Sequence, residues 1–240
     1  METQNFIYGR TAVIEALRLP TTPGKLYLRN GINDAASKTI LDLARSRGVP
    51  VMRVDSPAID RLCGKVSHQG VVLVMAEVAY VSIEDMLAKV PDGTPPLIVM
   101  ADGVTDPHNL GALIRCADGA GAHGVIISKH DGAGVTAAVI KTSAGAALSM
   151  PVARVSSMAN AVEALKKKHG LWTYAVESGG QDYREADTKG AAAFVFGSEG
   201  EGVSRLVRER CDFTLSIPMR GQVNSLNVSC AAAVILYSRK

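Results

Sequence analysis

The stretch Phe194-Val-Phe-Gly-Ser-Glu-Gly-Glu-Gly-Val203 joins an apolar run of strand type to a turn dense in glycine. A second arrangement of the same kind follows. Leu215-Ser-Ile-Pro-Met219 ends on a proline, which has no N–H to continue a sheet ladder. Asn224-Ser-Leu-Asn-Val-Ser229 then opens the apolar helix that contains Cys230-Ala-Ala-Ala-Val-Ile-Leu236. Strand ends in this setting leave backbone amides unpaired and available to a ligand. The spacing therefore predicts an α/β fold with a ligand site beyond the carboxyl ends of its strands.

Upstream the same alternation holds. Apolar runs at Leu97–Ala101, Gly124–Ile127, Val152–Val155, Leu171–Val176, Ala193–Phe196 and Phe213–Ile217 read as strands. Helical patterns at Asn109–Gly119, Thr136–Thr142, Met158–His169, Ser204–Glu209 and Leu226–Ser238 lie between and after them. Apolar strands separated by helices imply a mostly parallel sheet covered on both faces. Residues 1–77 show a smaller α/β pattern: a helix placing Val13, Ile14 and Leu17 on one face, a strand at Lys25–Leu28, a helix over Asp34–Arg47, a strand at Val51–Val54, a helix from Ser56 and a buried strand at Val71–Met75. Between them, 78–96 loosens into one amphipathic helix around Ile83–Val90 and Pro91-Asp-Gly-Thr-Pro-Pro96, which reads as a flexible linker. The expected domains are 1–77, a linker 78–96, and 97–240.

The 240 residues are 47% apolar, enough for a well-buried core. No apolar run approaches the ~20 residues of a membrane helix, and the first residues have no signal-peptide character. A cytoplasmic protein without a membrane partner is expected. Cys63, Cys116, Cys211 and Cys230 form no C-x-x-C pair, and the five histidines, His68 and His108 among them, show no metal spacing, so neither a disulfide framework nor a metal site is expected. The cysteines are expected as small buried hydrophobes. The net charge of +3 lies wholly in residues 1–77, because residues 78–240 carry 16 basic and 16 acidic side chains. The first segment is the one suited to a polyanion.

Gly119-Ala-Gly-Ala-His-Gly124 matches the dinucleotide pattern G-x-G-x-x-G, but it follows a helix and precedes a strand, the reverse of a nucleotide-binding turn. It reads as a helix C-terminus. Three other constellations carry chemistry. In Asp102-Gly-Val-Thr-Asp-Pro-His-Asn-Leu-Gly-Ala-Leu-Ile-Arg115, Asn109 stands near a helix start, where it can cap, and Arg115 has small or apolar neighbours. In Gly197-Ser-Glu-Gly-Glu-Gly202 two glutamates disfavour a polyphosphate and favour a nucleoside or cationic ligand; Glu199 is the candidate side chain. In the third, Asn224 or Ser225 can cap the last helix, with Asn227 in its first turn.

These three motifs, together and in this order, resemble those of the SpoU (TrmH) family of RNA ribose methyltransferases in the SPOUT superfamily: N-x-G-x-x-x-R at 109–115, Gly-Ser-Glu-Gly-x-Gly at 197–202, and Ile217-Pro-Met with Ser225-Leu-Asn-Val-Ser229. Residues 1–77, from Ile7-Tyr-Gly-Arg-Thr-Ala-Val to His68-Gln-Gly-Val-Val72, resemble the small RNA-binding domain, of ribosomal-protein-like fold, that precedes the catalytic domain in the 23S ribosomal RNA guanosine 2′-O-methyltransferase subgroup. The resemblance implies a deep trefoil knot, a homodimer, and S-adenosyl-L-methionine held by Gly197, Ile217 and Leu226 with Met219 and Ser143 nearby. It implies that Arg115 draws off the ribose proton or stabilises the developing alkoxide, with Asn109, Glu199, Ser225 and Asn227 orienting it and the substrate. A guanidinium, with pKa above ~12, is a reluctant base, so stabilisation is the easier role to defend. RNA is the expected partner and DNA is not, since the target is a 2′-hydroxyl. Arg10, Arg29, Lys38, Arg45, Arg47, Arg53 and Lys65 are candidate backbone contacts. Alternatives that share the motifs are a transfer-RNA ribose methyltransferase, an antibiotic-resistance ribosomal RNA methyltransferase and a non-catalytic assembly factor. A nicotinamide dehydrogenase is the remote one.

Overall fold

The computed structural model describes residues 6–18, 23–64, 66–75 and 79–239. The chain forms two compact units, one from residues 1–78 and the other from 79–240. In the first, β1 (Phe6–Tyr8), α1 (Arg10–Arg18), β2 (Pro23–Arg29), α2 (Ala35–Ser46), β3 (Val51–Val54), α3 (Ser56–Cys63) and β4 (Val71–Met75) follow in order. The four strands form one mixed sheet, β1-β4-β2-β3, in which β2 and β3 are parallel and β4 runs against both its neighbours. α1 buries Val13, Ala16 and Leu17, while Ile14, expected on the same face, is half-buried. Asp34 caps α2 by accepting from Ser37 N at 2.9 Å. β1 is too short to show a period in the sequence and pairs only because β4 offers it an edge.

The second unit comprises α4 (Ile83–Leu87), β5 (Leu97–Ala101), α5 (Pro107–Gly119), β6 (Gly124–Ser128), α6 (Ala137–Thr142), α7 (Ala146–Ser149), β7 (Val152–Val155), α8 (Met158–His169), β8 (Trp172–Asp182), β9 (Ala192–Phe196), α9 (Arg205–Arg210), β10 (Phe213–Ser216) and α10 (Val228–Tyr237). All six strands are parallel, in the order β10-β8-β9-β5-β6-β7. Every residue of β5, β6 and β9 is buried, which is why these strands read as unbroken apolar runs. The chain moves from β5 outward through β6 and β7, then returns to build β8 and β9 on the other side. That reversal makes the carboxyl ends of β5 and β9 a topological switch point. β8 runs on to Asp182, beyond the apolar stretch that marks it in the sequence, because its polar end pairs with β10 across a bulge at Thr214/Leu215.

The stretch expected as a flexible linker behaves differently; residue 78 lies outside the described residues, and 79–96 folds with the second unit. Val81 N donates to Val152 O at 2.9 Å, Tyr80 OH accepts from Val135 N at 3.0 Å, and the Arg154 guanidinium lies 5.5 Å from the centre of the Tyr80 ring. Met86 is fully buried against Gly124, where a Cβ would come within 2.2 Å of its sulfur. One apolar side chain per turn is enough to dock a short helix, and so weak a period reads as a linker. The glycines of 119–124 are accounted for by structure alone. Gly121 takes φ 75° after the helix, Gly119 leaves room for the Tyr237 hydroxyl, and Gly124 leaves room for Met86.

Two cap assignments also change. Asp106, with Pro107 behind it, caps α5 by accepting from His108 N at 2.9 Å, so Asn109 is not the cap. Asn227 itself caps α10, so Asn224 and Ser225 stand outside the helix. Burial of the cysteines is partial, and Cys230 is exposed. Among the described residues no helix is long and apolar enough to cross a membrane.

Met86→Ala is expected to destabilise the second unit by about 2–5 kcal/mol, the cost of emptying a buried methionine site. Urea unfolding of the variant measures it, and a change under about 0.5 kcal/mol would return 79–96 to linker status.

Candidate active site

The ends of β9 and β10, the middle of β8 and one helix start enclose a cleft of about 470 Å³. β8 contributes Val176, Glu177 and Ser178; β9 and its turn contribute Phe196 through Gly202; β10 leads into Ile217 and Met219; and the approach to α10 contributes Asn224 through Val228, with Ala231. The turn after β9 closes on itself, with Ser198 N donating to Gly202 O at 3.1 Å and Gly202 N to Ser198 O at 3.0 Å. A Cβ on Gly197 would fall 1.9 Å from the Gly202 carbonyl carbon, so only glycine admits this closure. Gly200 and Gly202 have φ of 91° and 70°, the left-handed region. Asp102, at the end of β5, accepts from Ser204 N at 2.8 Å and anchors the far side of the turn.

Asn227 ties the three motifs together. Its amide nitrogen donates to Asn109 Oδ1 at 2.9 Å and to Glu199 Oε1 at 2.5 Å. Its Oδ1 accepts from Ser229 N at 3.0 Å and from Ser229 Oγ at 2.6 Å. Both amide hydrogens are therefore committed, and the oxygen is oriented by the helix it caps. Cys116 Sγ donates to Ser229 O at 3.6 Å across the same α5/α10 contact, and burial pushes its thiol pKa up.

Of the residues expected at the site, Gly197, Glu199, Ile217, Met219, Ser225, Leu226 and Asn227 line the cleft, and Asn109 joins it through Asn227. Arg115 and Ser143 do not line it. Arg115 is exposed on α5, six residues beyond Asn109. Ser143 is buried at the end of α6, donating through Oγ to Ile140 O at 3.0 Å and accepting from Ala147 N at 3.2 Å, which spends its hydroxyl on the chain. It lies behind α5 rather than in the cleft: a Cβ on Gly111 would come 3.2 Å from Ser143 N.

Glu177 also lines the cleft, though it belongs to none of the three motifs. Its Oε1 accepts from Arg208 at 3.0 Å, and its Oε2 is buried without a partner among the described residues. A glutamate ending the apolar run Thr173-Tyr-Ala-Val176 was the available signal. Three glutamates and no lysine or arginine stand among the lining residues.

Residues 96–237 match the profile described as the SpoU rRNA Methylase family, and residues 6–81 match the one described as RNA 2'-O ribose methyltransferase substrate binding. A putative TrmH family tRNA/rRNA methyltransferase of Staphylococcus saprophyticus is 41% identical, covering 96% of this chain and 93% of its own. The 23S rRNA (guanosine-2'-O-)-methyltransferase RlmB of Neisseria meningitidis is 38% identical over 98% of this chain and 94% of its own. Among solved structures, the SpoU methyltransferase AviRb of Streptomyces viridochromogenes in complex with AdoMet superposes with a TM-score of 0.68, at 24% identity, covering 97% of this chain and 88% of that one. That likeness speaks for the fold.

Asn227→Ala removes the cap and the bridge together and is expected to cost about 1–2 kcal/mol of unfolding free energy. Asn227→Asp keeps an acceptor for Ser229 N but sets a carboxylate against Glu199, so it should fall between the wild type and the alanine variant in urea unfolding. Equal stability of all three would mean that the bridge contributes nothing.

Proposed function

Because the chain belongs to the SpoU rRNA methylase family, we propose that it transfers the methyl group of S-adenosyl-L-methionine to the 2′-hydroxyl of a guanosine ribose in 23S ribosomal RNA. The observation that carries this reading is the cleft between the middle of β8 and the ends of β9 and β10. Its volume lies within the ~300–1,000 Å³ of small-ligand sites. Its acidic lining disfavours the pyrophosphate of a dinucleotide and suits a nucleoside bearing positive charge, and the buried Oε2 of Glu177 is an acceptor in want of a donor. The residues present therefore fit the cofactor. Gly197, Ile217 and Leu226 would hold it through backbone groups, with Met219 and Glu177 beside it. Ser143 would act on it only by fixing the α6 end that packs against α5.

Bound there, the cofactor supplies a methyl group already activated by its sulfonium. The ribose hydroxyl, whose proton is held far above neutral pH, is the partner that needs help. Arg115 is proposed to stabilise the developing alkoxide as a fixed cation, which asks nothing of its own proton. Asn227 is a positioning residue, since both its amide hydrogens are spent on holding Asn109 and Glu199 in one geometry. Ser225 faces the same cleft and would orient the ribose. Residues 6–81 would bind the RNA, which favours the ribosomal over the transfer-RNA substrate, and the cytoplasm is where such RNA is met.

A homodimer belongs to the same proposal. α10 is apolar nearly all round, yet Cys230 is exposed and Tyr237 is 62% exposed, with Val223 just before the helix at 64%. A second copy covering this surface would bring a partner toward the exposed Arg115. The trefoil knot is likewise proposed. What supports it is the path of the chain from edge strand β10, past the middle of β8 and the end of β9, to α10 on α5.

Labelled methyl is expected on a ribose of unmodified 23S RNA and not on transfer RNA or DNA, and Arg115→Ala should lower kcat about 10²–10³-fold with little change in cofactor KM. Label found only on transfer RNA would sink the ribosomal assignment. In sedimentation equilibrium the protein should run at twice its 25.2 kDa chain mass; a monomer at micromolar concentration would remove the dimer.

A further inference from the structure

The first unit has a cavity of its own, about 520 Å³, lined by Arg10, Arg29 and residues 66–70. The turn that floors it is held by His68, which is buried. Its Nδ1 accepts from Gly70 N at 2.9 Å, which leaves the proton on Nε2 to face Asp60 Oδ1 at 3.2 Å. Gln69 sits at φ 53°, an unusual conformation for a residue with a side chain, and its Oε1 accepts from Arg10 N at 3.2 Å. Gly70, at φ 78°, lies where a Cβ would come 2.3 Å from Ile32 Cδ1 and 3.1 Å from Arg29 Cβ. Its carbonyl accepts from Arg29 N at 2.8 Å. The turn is thus clamped from three sides and fixes the base of the Arg29 side chain.

The polar groups of the lining offer more free donors than acceptors. The acceptors of the turn side chains, His68 Nδ1 and Gln69 Oε1, are already in use. The donors are not. Arg10 Nε is buried without a partner among the described residues, Arg29 is exposed and makes no ion pair among them, and Ser67 and the Gln69 amide are exposed. Of the carboxylates bound to lining residues, Asp34 is held by Arg10 at 2.9 Å and by its cap to α2, and Asp60 by the His68 ring. The lining has no Phe, Tyr or Trp on which a base could stack. A site with spare donors, a free guanidinium and a rigid floor suits an anion.

Resting on the RNA reading above, we propose that this cavity binds a backbone phosphodiester of the RNA, with Arg29 as its main contact and Arg10 as the second. The assignment separates two of the seven basic candidates from the rest. Arg47 and Arg53 donate to Leu17 O and Ile32 O at 3.0 and 3.3 Å and hold the unit together. Arg45 lies 3.9 Å from Asp42, Lys38 is exposed on α2, and Lys65 lies outside the described residues.

The test is fluorescence anisotropy of a labelled hairpin of unmodified large-subunit RNA with the full chain, across about 50 to 200 mM salt. Arg29→Gln should weaken binding about tenfold and lower the slope of log affinity against log salt by about one, equally for unrelated hairpins, while Arg29→Lys should recover most of the slope. Binding of S-adenosylhomocysteine by each variant, unchanged from wild type, reports an intact second unit, and circular dichroism reports the first. Wild-type affinity and slope in Arg29→Gln would overturn the phosphate site, as would a weakened affinity with an unchanged slope. A wild-type protein that binds S-adenosylhomocysteine but no RNA would instead bring down the RNA reading itself.

Discussion

The amide of Asn227 is the one contact on which the geometry of the cleft depends. It lies at the start of the last helix, yet its two hydrogens reach Asn109, near the start of α5, and Glu199, in the turn after β9. Those groups are separated by 118 and 28 residues of chain from Asn227, and each sits on a different element. A single planar group with both donors and its acceptor committed leaves one mutual arrangement of three motifs. Each bond alone contributes little at an exposed site; what they supply together is orientation.

The turn that carries Glu199 would not reach Asn227 without the close approach of Gly197 to Gly202. Removing one Cβ lets strand β9 end in a loop narrow enough to pair with itself, and Asp102 then holds the exit through Ser204 N. The site thus rests on the rigid middle of a parallel sheet in which β5, β6 and β9 are wholly buried. Rigidity there has a use: a ligand bound through backbone groups is positioned only as well as the strands beneath it.

Charge is divided between the two units in keeping with this. The cleft of the second unit has glutamates and no basic residue in its lining, whereas the cavity of the first has two arginines and no free carboxylate. Cationic nucleoside and polyanion would each meet the opposite sign. No cysteine is among the lining residues of the cleft; burial pushes the Cys211 thiol up to about 12 and raises that of Cys116 as well.

Most of the element order and the cleft lining were legible in the sequence, because apolar runs and glycine turns are local signals. The order of strands was not, nor the docking of 79–96, since Met86 shows its purpose only once Gly124 is opposite. Cap assignment failed at Asn109 and Asn224 for a related reason. Several adjacent residues can cap a helix, and the backbone picks Asp106 and Asn227 by where the chain turns. The sequence by itself determined the strand and helix periods, the acidic character of the glycine turn and the family to which the chain belongs. Only the tertiary structure decided that Asn109, Glu199 and Asn227 share one hydrogen-bonded hub, that Ser143 is spent on a buried helix end, and that Glu177 faces the same cleft. Such contacts join residues distant along the chain, and no local period records them.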